Sequence, residues 1–195
     1  MLAGRGVRDA DRAAPVRSAP MTSHRWDPIA EARQNWRDRG WDDAADGMSA
    51  VTSVIRVQQI VLARIDGVLK PFALSFARFE LLRVLGFARD QRMTMSRLRS
   101  LLQVHPASVT NLVDRLEADG LVRRTANPDD GRSFLVELTE DGRDLVEDAT
   151  AALNAQVFEQ LEFEPDELTT LNAVLAGFRR RHGDFDDPPR APEPL

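Results

Sequence analysis

Ser108, Thr110, Asn111 and Arg115 bring hydrogen-bonding groups together on a stretch whose apolar residues, Val109, Leu112, Val113 and Leu116, recur at helical spacing. On a helical wheel the arc opposite that stripe holds Ala107, Asn111, Asp114 and Ala118, with Ser108, Thr110 and Arg115 at its edges. Small or polar residues at the amino-terminal end let such a helix enter a major groove about 12 Å wide. There Asn111 can bridge adenine N6 and N7, Thr110 can offer a methyl to thymine, and Ser108 can donate to a phosphate or a base. The alternative gives Ser108 and Thr110 only the role of first-turn hydroxyls on a packed helix. His105 stands where a capping residue normally sits, so its imidazole either caps the helix or meets phosphate.

A second group lies in Asn127-Pro128-Asp129-Asp130-Gly131-Arg132, a Pro-, Asp- and Gly-containing loop between two β-prone runs, Leu121 to Thr125 and Ser133 to Leu138. Arg132 is placed at the tip, where the negative potential of a narrow minor groove would draw it, and Asp130 is close enough to fix its guanidinium. The alternative is a solvated turn charge. Arg123 and Arg124, at the base of the hairpin, are either phosphate contacts or partners of Asp114 and Glu117.

The composition limits other chemistry. The 195-residue chain carries a formal net charge of −5, so an anionic partner must meet a local basic patch rather than a uniformly basic surface. Lys70 is the one lysine; every other basic side chain is arginine, the type suited to bidentate phosphate and base-edge contacts. With no cysteine, disulfides, thiolate catalysis and thiol redox sensing are excluded, and His24, His105 and His182 have no metal-ligand spacing. Gly4-Arg5-Gly6 lacks the strand and helix of a dinucleotide motif, no Gly-x-Ser-x-Gly occurs, and the carboxylate pair Asp129-Asp130 falls in a solvated turn. An enzyme is not supported, and no cofactor is implied. No apolar run is long enough to span a membrane and no signal-peptide core is present, so a cytoplasmic protein is expected. Residues 1–20 read as a disordered tail or an Arg-rich transit peptide, with Met21 a candidate natural start, and residues 183–195 as an acidic, Pro-rich disordered tail.

The elements that must position these groups are mainly helical. Asp27-Pro28 opens a helix to about Asp38 carrying Ile29, Ala32, Arg33 and Trp36; a second runs from Asp46–Ser49 to Leu69, and a third, preceded by Ser75, closes near Gly86. Thr94 caps a short helix, the chain turns at residues 103–105, and Pro106 starts the next helix, which stops at Gly120. After the hairpin, Thr139 opens a long helix to about Leu161 and Glu164-Pro165 opens a last one. A short helix, a three-residue turn, an amphipathic helix and a β-hairpin make a winged helix-turn-helix. The fold class is therefore mainly α with a small β-hairpin wing. The expected organisation is a tail (1–26), amino-terminal helices (27–90), a winged domain (91–138), carboxy-terminal helices (139–182) and a second tail (183–195). The long flanking helices carry apolar stripes that a winged domain of about 50 residues cannot bury, which points to a homodimer.

Leu98 to Arg124, read as a string, resembles the multiple antibiotic resistance regulator (MarR) family. Pro128-Asp129-Asp130-Gly131-Arg132 looks like that family's wing signature, and Leu138-Thr139-Glu140-Asp141-Gly142 like its entry into the dimerisation helix. The resemblance implies a homodimeric bacterial regulator, triangular in outline, with interleaved terminal helices and two winged lobes on adjacent half-sites of double-stranded DNA. It also implies an effector pocket between the dimerisation helices and the DNA-binding lobe. The amino-terminal helix with Trp36 resembles an extension found in members that respond to urate or to tricarboxylates such as aconitate, where a tryptophan and an acidic residue contribute to the ligand site. Trp36 and Glu80 match those positions, although the urate-binding members carry Asp at the second; Phe79 is a candidate pocket wall. The alternative is a packing tryptophan, a core phenylalanine and a solvated glutamate. The expected function is a sequence-specific transcriptional repressor released from a pseudo-palindromic operator by a small anionic or aromatic metabolite; the alternative is a winged-helix protein-interaction module without DNA binding.

Overall fold

The computed structural model describes residues 25–102, 106–128 and 130–185. The expectations for the tails, for Met21, for the turn at 103–105 with His105, and for Asp129 lie outside the described residues, apart from 25–26 and 183–185. The chain divides into two compact units, Met1–Gly67 and Val68–Leu195.

In the first unit, α1 (Pro28–Arg37) begins where the Asp27 carboxylate accepts the Ile29 N–H, with Pro28 preset for the first turn. Gly40, at φ +78°, lets the chain reverse, and the Trp41 N–H returns to the Trp36 carbonyl at 3.0 Å. α2 (Asp42–Leu69) then starts before the expected Asp46, with Asp42 and Asp43 in its first turn, where carboxylates favour the helix dipole. Asp46 is turned instead to Arg33 and Arg37 of α1, at 2.6 and 3.2 Å.

The second unit holds α3 (Phe76–Phe87), β1 (Arg92–Thr94), α4 (Met95–Leu101), α5 (Pro106–Ala118), β2 (Val122–Ala126), β3 (Phe134–Leu138), α6 (Glu140–Gln156) and α7 (Pro165–Arg181). Ser75, Thr94 and Thr139 cap α3, α4 and α6 through their side-chain oxygens. The expected hairpin forms from β2 and β3, and a third strand joins it. β1 pairs antiparallel with β3, giving the order β1-β3-β2, with Met93 opposite Val136 and Arg124 on its other side. α6 stops short of Leu161, at Gln156, and a 3-10 turn over Phe158–Gln160 follows. Val109, Val113 and Leu116 of α5 join Leu81, Leu82, Leu85, Leu98, Val122 and Val136 as fully buried side chains. Each contributes about 1.5–3 kcal/mol of apolar transfer, enough to hold α5 by its stripe and leave its polar arc outside.

Candidate nucleic-acid interface

α5 is held at its carboxy-terminal half. Gly120, at φ +74°, ends it: the Gly120 N–H reaches the Glu117 carbonyl at 3.0 Å and the Leu121 N–H reaches the Leu116 carbonyl at 2.9 Å, satisfying the last turn. Arg124 of β2 reaches both Asp114 and Glu117, its backbone N–H also donating to Glu117 at 2.9 Å, and its guanidinium lies over the Phe134 ring. Arg78 of α3 pairs with Asp119 just past the helix. These arginines neutralise the carboxylates that would otherwise repel phosphate. Of the two roles left open for Arg123 and Arg124, the structure places both in intramolecular pairs, Arg123 with Glu137 and Arg124 with the α5 carboxylates.

The exposed side of α5 carries the groups expected to meet a duplex. Ser108, Asn111 and Arg115 are exposed and, with half-buried Leu112 and with Ala77 of α3, line an open groove. The Arg115 guanidinium has no acidic partner among the described residues. Thr110 is half-buried and accepts a hydrogen bond from Arg99 of α4 at 3.2 Å. Sequence reading did not single out Arg99; its only signal was its place in the last turn of α4, facing the helix that follows.

The wing loop is built by short polar contacts. The Asp130 carboxylate accepts the Arg132 backbone N–H at 3.1 Å, Ser133 N–H donates to the Asp130 carbonyl at 3.0 Å, and the Asn127 amide donates to the Ser133 hydroxyl at 2.9 Å. Asp130 therefore shapes the turn rather than gripping the Arg132 guanidinium as expected, because the two-residue spacing puts the backbone N–H closer than the side-chain end. Arg132 is left exposed at the tip with no ion-pair partner among the described residues. Behind the wing, Glu137 sits opposite Arg92 and Arg123 across the sheet; the hydrogen bond from Arg123 holds its carboxyl below the usual carboxylate range.

Of the three residues considered for an effector, Trp36 lies in α1 of the first unit and Phe79 and Glu80 lie in α3 of the second. Trp36, in the first unit, is half-buried and packs edge-on against Trp41 with ring centroids 5.5 Å apart. Phe79, in the second, is a core residue, 5% exposed and stacked on Phe76. Glu80 is half-buried, makes no hydrogen bond or ion pair among the described residues, and burial raises its pKa. No helix among the described residues is long and apolar enough to cross a membrane.

A profile described as the MarR family matches residues 74–133, the span from the start of α3 to the end of the wing loop. The multiple antibiotic resistance protein MarR of Escherichia coli K12 is 30% identical over 109 residues, 55% of this chain and 74% of that protein. Sco5413, a MarR family transcriptional regulator from Streptomyces coelicolor, is 42% identical, with a TM-score of 0.65 over 72% of this chain and 98% of that one. The chain belongs to the MarR family. It is a DNA-binding transcriptional regulator with the winged helix-turn-helix fold, as its relatives are transcriptional regulators and not enzymes. A further structure of the same fold, the transcriptional repressor CouR bound to a 23-mer DNA duplex, is 25% identical with a TM-score of 0.60, covering 66% of this chain and 90% of that one.

Proposed function

We propose that this MarR-family chain is a homodimeric repressor that binds a pseudo-palindromic operator through α5 and the wing, and that a small anionic or aromatic metabolite releases it. The observation that carries the DNA reading is the division among its arginines. Those at positions 78, 83, 123 and 124 pair with carboxylates, whereas exposed Arg115 and Arg132 have no acidic partner among the described residues. On a chain of net charge −5 these supply the local positive surface that a phosphate backbone needs. With about three or four phosphate contacts from each subunit, two copies would give about six to eight and a steep salt dependence. CouR, described as a repressor on duplex DNA, supports the sign of regulation.

For the effector, this reading gives ligand roles to Trp36, which offers an aromatic face in the first unit, and to Glu80, a half-buried carboxyl of the second unit with no hydrogen-bond or ion-pair partner among the described residues. The test is a fluorescence-anisotropy titration with duplexes from the DNA upstream of the protein's own gene, with and without urate or aconitate. Operator affinity is expected to fall in Arg132→Ala without loss of folding, since changes at an exposed tip usually stay within about ±0.5 kcal/mol. It is also expected to fall on adding effector, tenfold release corresponding to about 1.4 kcal/mol of coupling. The effector response should weaken in Trp36→Ala; an undiminished response returns Trp36 to packing against Trp41. A wild-type protein that binds none of the duplexes leaves the protein-interaction module as the reading.

A further inference from the structure

Threonines inside helices usually dispose of their hydroxyl proton locally. Thr52, Thr150 and Thr169 of this chain do so, donating to the carbonyls of Met48, Val146 and Pro165, four residues back, at 2.8, 2.6 and 2.9 Å. Thr110 of α5 behaves differently. Its Oγ1 accepts from the Arg99 guanidinium across the α4–α5 junction at 3.2 Å, and among the described residues its proton has no acceptor. A threonine hydroxyl has one donor and two lone pairs. A cationic donor on one lone pair polarises the O–H toward donation and sets its own positive charge against any N–H that approaches the same oxygen.

We infer that Arg99 is a specificity-positioning residue, holding Thr110 as a hydrogen-bond donor toward the major groove and so excluding cytosine from the base step that Thr110 faces. This rests on the DNA-binding reading. Guanine, adenine and thymine each present a major-groove acceptor, N7 and O6, N7, or O4, whereas cytosine presents only the N4 amino donor. A hydroxyl free to rotate could accept from that amino group; one held by Arg99 has a single lone pair left, beside the guanidinium charge, which disfavours the approach of a second N–H donor. Arg99 is itself exposed, and its other N–H groups remain open to a phosphate, which adds affinity without regard to sequence.

The experiment is selection from a library of random DNA duplexes by the full-length wild type and by Arg99→Ala, Thr110→Val and Thr110→Ser. The wild type is expected to disfavour cytosine about tenfold at one position of each half-site, relative to the other three bases. That bias should shrink to within about threefold in both Arg99→Ala and Thr110→Val, while Thr110→Ser, which keeps the hydroxyl, restores it. Preferences elsewhere in the site should be unchanged. An Arg99→Ala profile that matches the wild type at every position and differs only by a uniform loss of affinity overturns the proposal and makes Arg99 a phosphate contact. A wild type that enriches no sequence overturns the sequence-specific operator reading on which this inference rests.

Discussion

Arg115 and Arg124 carry the same side chain and are placed for opposite tasks. Arg124 is three-quarters buried between Asp114, Glu117 and Phe134, whereas Arg115 projects into the open groove beside Asn111. Removing Arg124 leaves the Asp114 and Glu117 carboxylates without the guanidinium that joins them, so Arg124→Ala should cost about 1–2 kcal/mol in a urea titration, a figure already reduced for the partial exposure of the pairs. Arg115→Ala should leave stability within about 0.5 kcal/mol and reduce the salt slope of DNA binding by about 1 for each phosphate that Arg115 neutralises. Equal stability losses in the two variants would sink the distinction. The arc bearing Ser108, Asn111 and Arg115 was legible in the sequence because a buried stripe of Val109, Val113 and Leu116 dictates which residues face out. The destination of Arg124 was not, since Asp114 and Glu117 are brought to it only by the turn at Gly120 and the pairing of β2 with β3. The partner of Asp130 was misread for a similar reason: charge suggested the guanidinium, and local geometry supplied the backbone N–H of Arg132.

At the scale of elements, the junction between wing and α6 is tied to the end of α5 through backbone. Thr139 N–H donates to the Leu121 carbonyl at 3.1 Å, the Thr139 hydroxyl to the Gly120 carbonyl at 2.8 Å, and the Gly142 N–H to Thr139 Oγ1 at 3.0 Å. Gly142 is buried there, and a Cβ built on it would collide with the Leu121 carbonyl oxygen, a backbone atom that cannot step aside alone. Gly142→Ala should therefore destabilise the protein by about 1–3 kcal/mol, read as a lowered Tm, despite the better helix propensity of alanine. Gly47→Ala, in α2 with nothing within 4 Å of its Cβ position among the described residues, is the control and should stabilise by about 0.5–1 kcal/mol. A Gly142→Ala variant as stable as wild type would show that this junction can open. The caps Asp27, Ser75, Thr94 and Thr139 were readable because a side-chain oxygen before an apolar run satisfies orphan N–H groups locally. β1 was not, being three residues long, polar at both ends, and made a strand only by its pairing with β3 after a kink where Asp90 and Gln91 take positive φ. The early end of α6 was equally hidden, since Val157 to Leu161 contains neither glycine nor proline.

At the scale of the whole molecule, each compact unit leaves apolar surface uncovered. In the first, Val51, Val54, Ile55, Val57 and Ile60 of α2 are exposed, Val54 by 57%; in the second, Leu171, Val174, Leu175 and Phe178 of α7 are exposed, Val174 by 62%. Isolated apolar side chains on a surface need no explanation, but runs of them along two helices do, because monomeric proteins rarely expose contiguous patches larger than a few hundred Å². Pairing those faces with their copies in a second chain would remove them from water at about 25 cal/mol for each Å² buried, and would also set two recognition helices at a fixed spacing for a two-fold site. The protein is therefore expected to scatter light as a dimer of about twice the 21.8 kDa chain mass, with a Tm that rises with protein concentration because association stabilises the folded state by mass action. Val174→Asp combined with Phe178→Asp should bury two charges in that contact. The pair should shift the equilibrium toward monomer, abolish the concentration dependence of Tm, and weaken binding to a two-half-site operator more than to a single half-site. A wild-type chain that stays folded at monomer mass across the concentration range would show that α2 and α7 tolerate their exposure, and the two-fold operator would lose its structural basis.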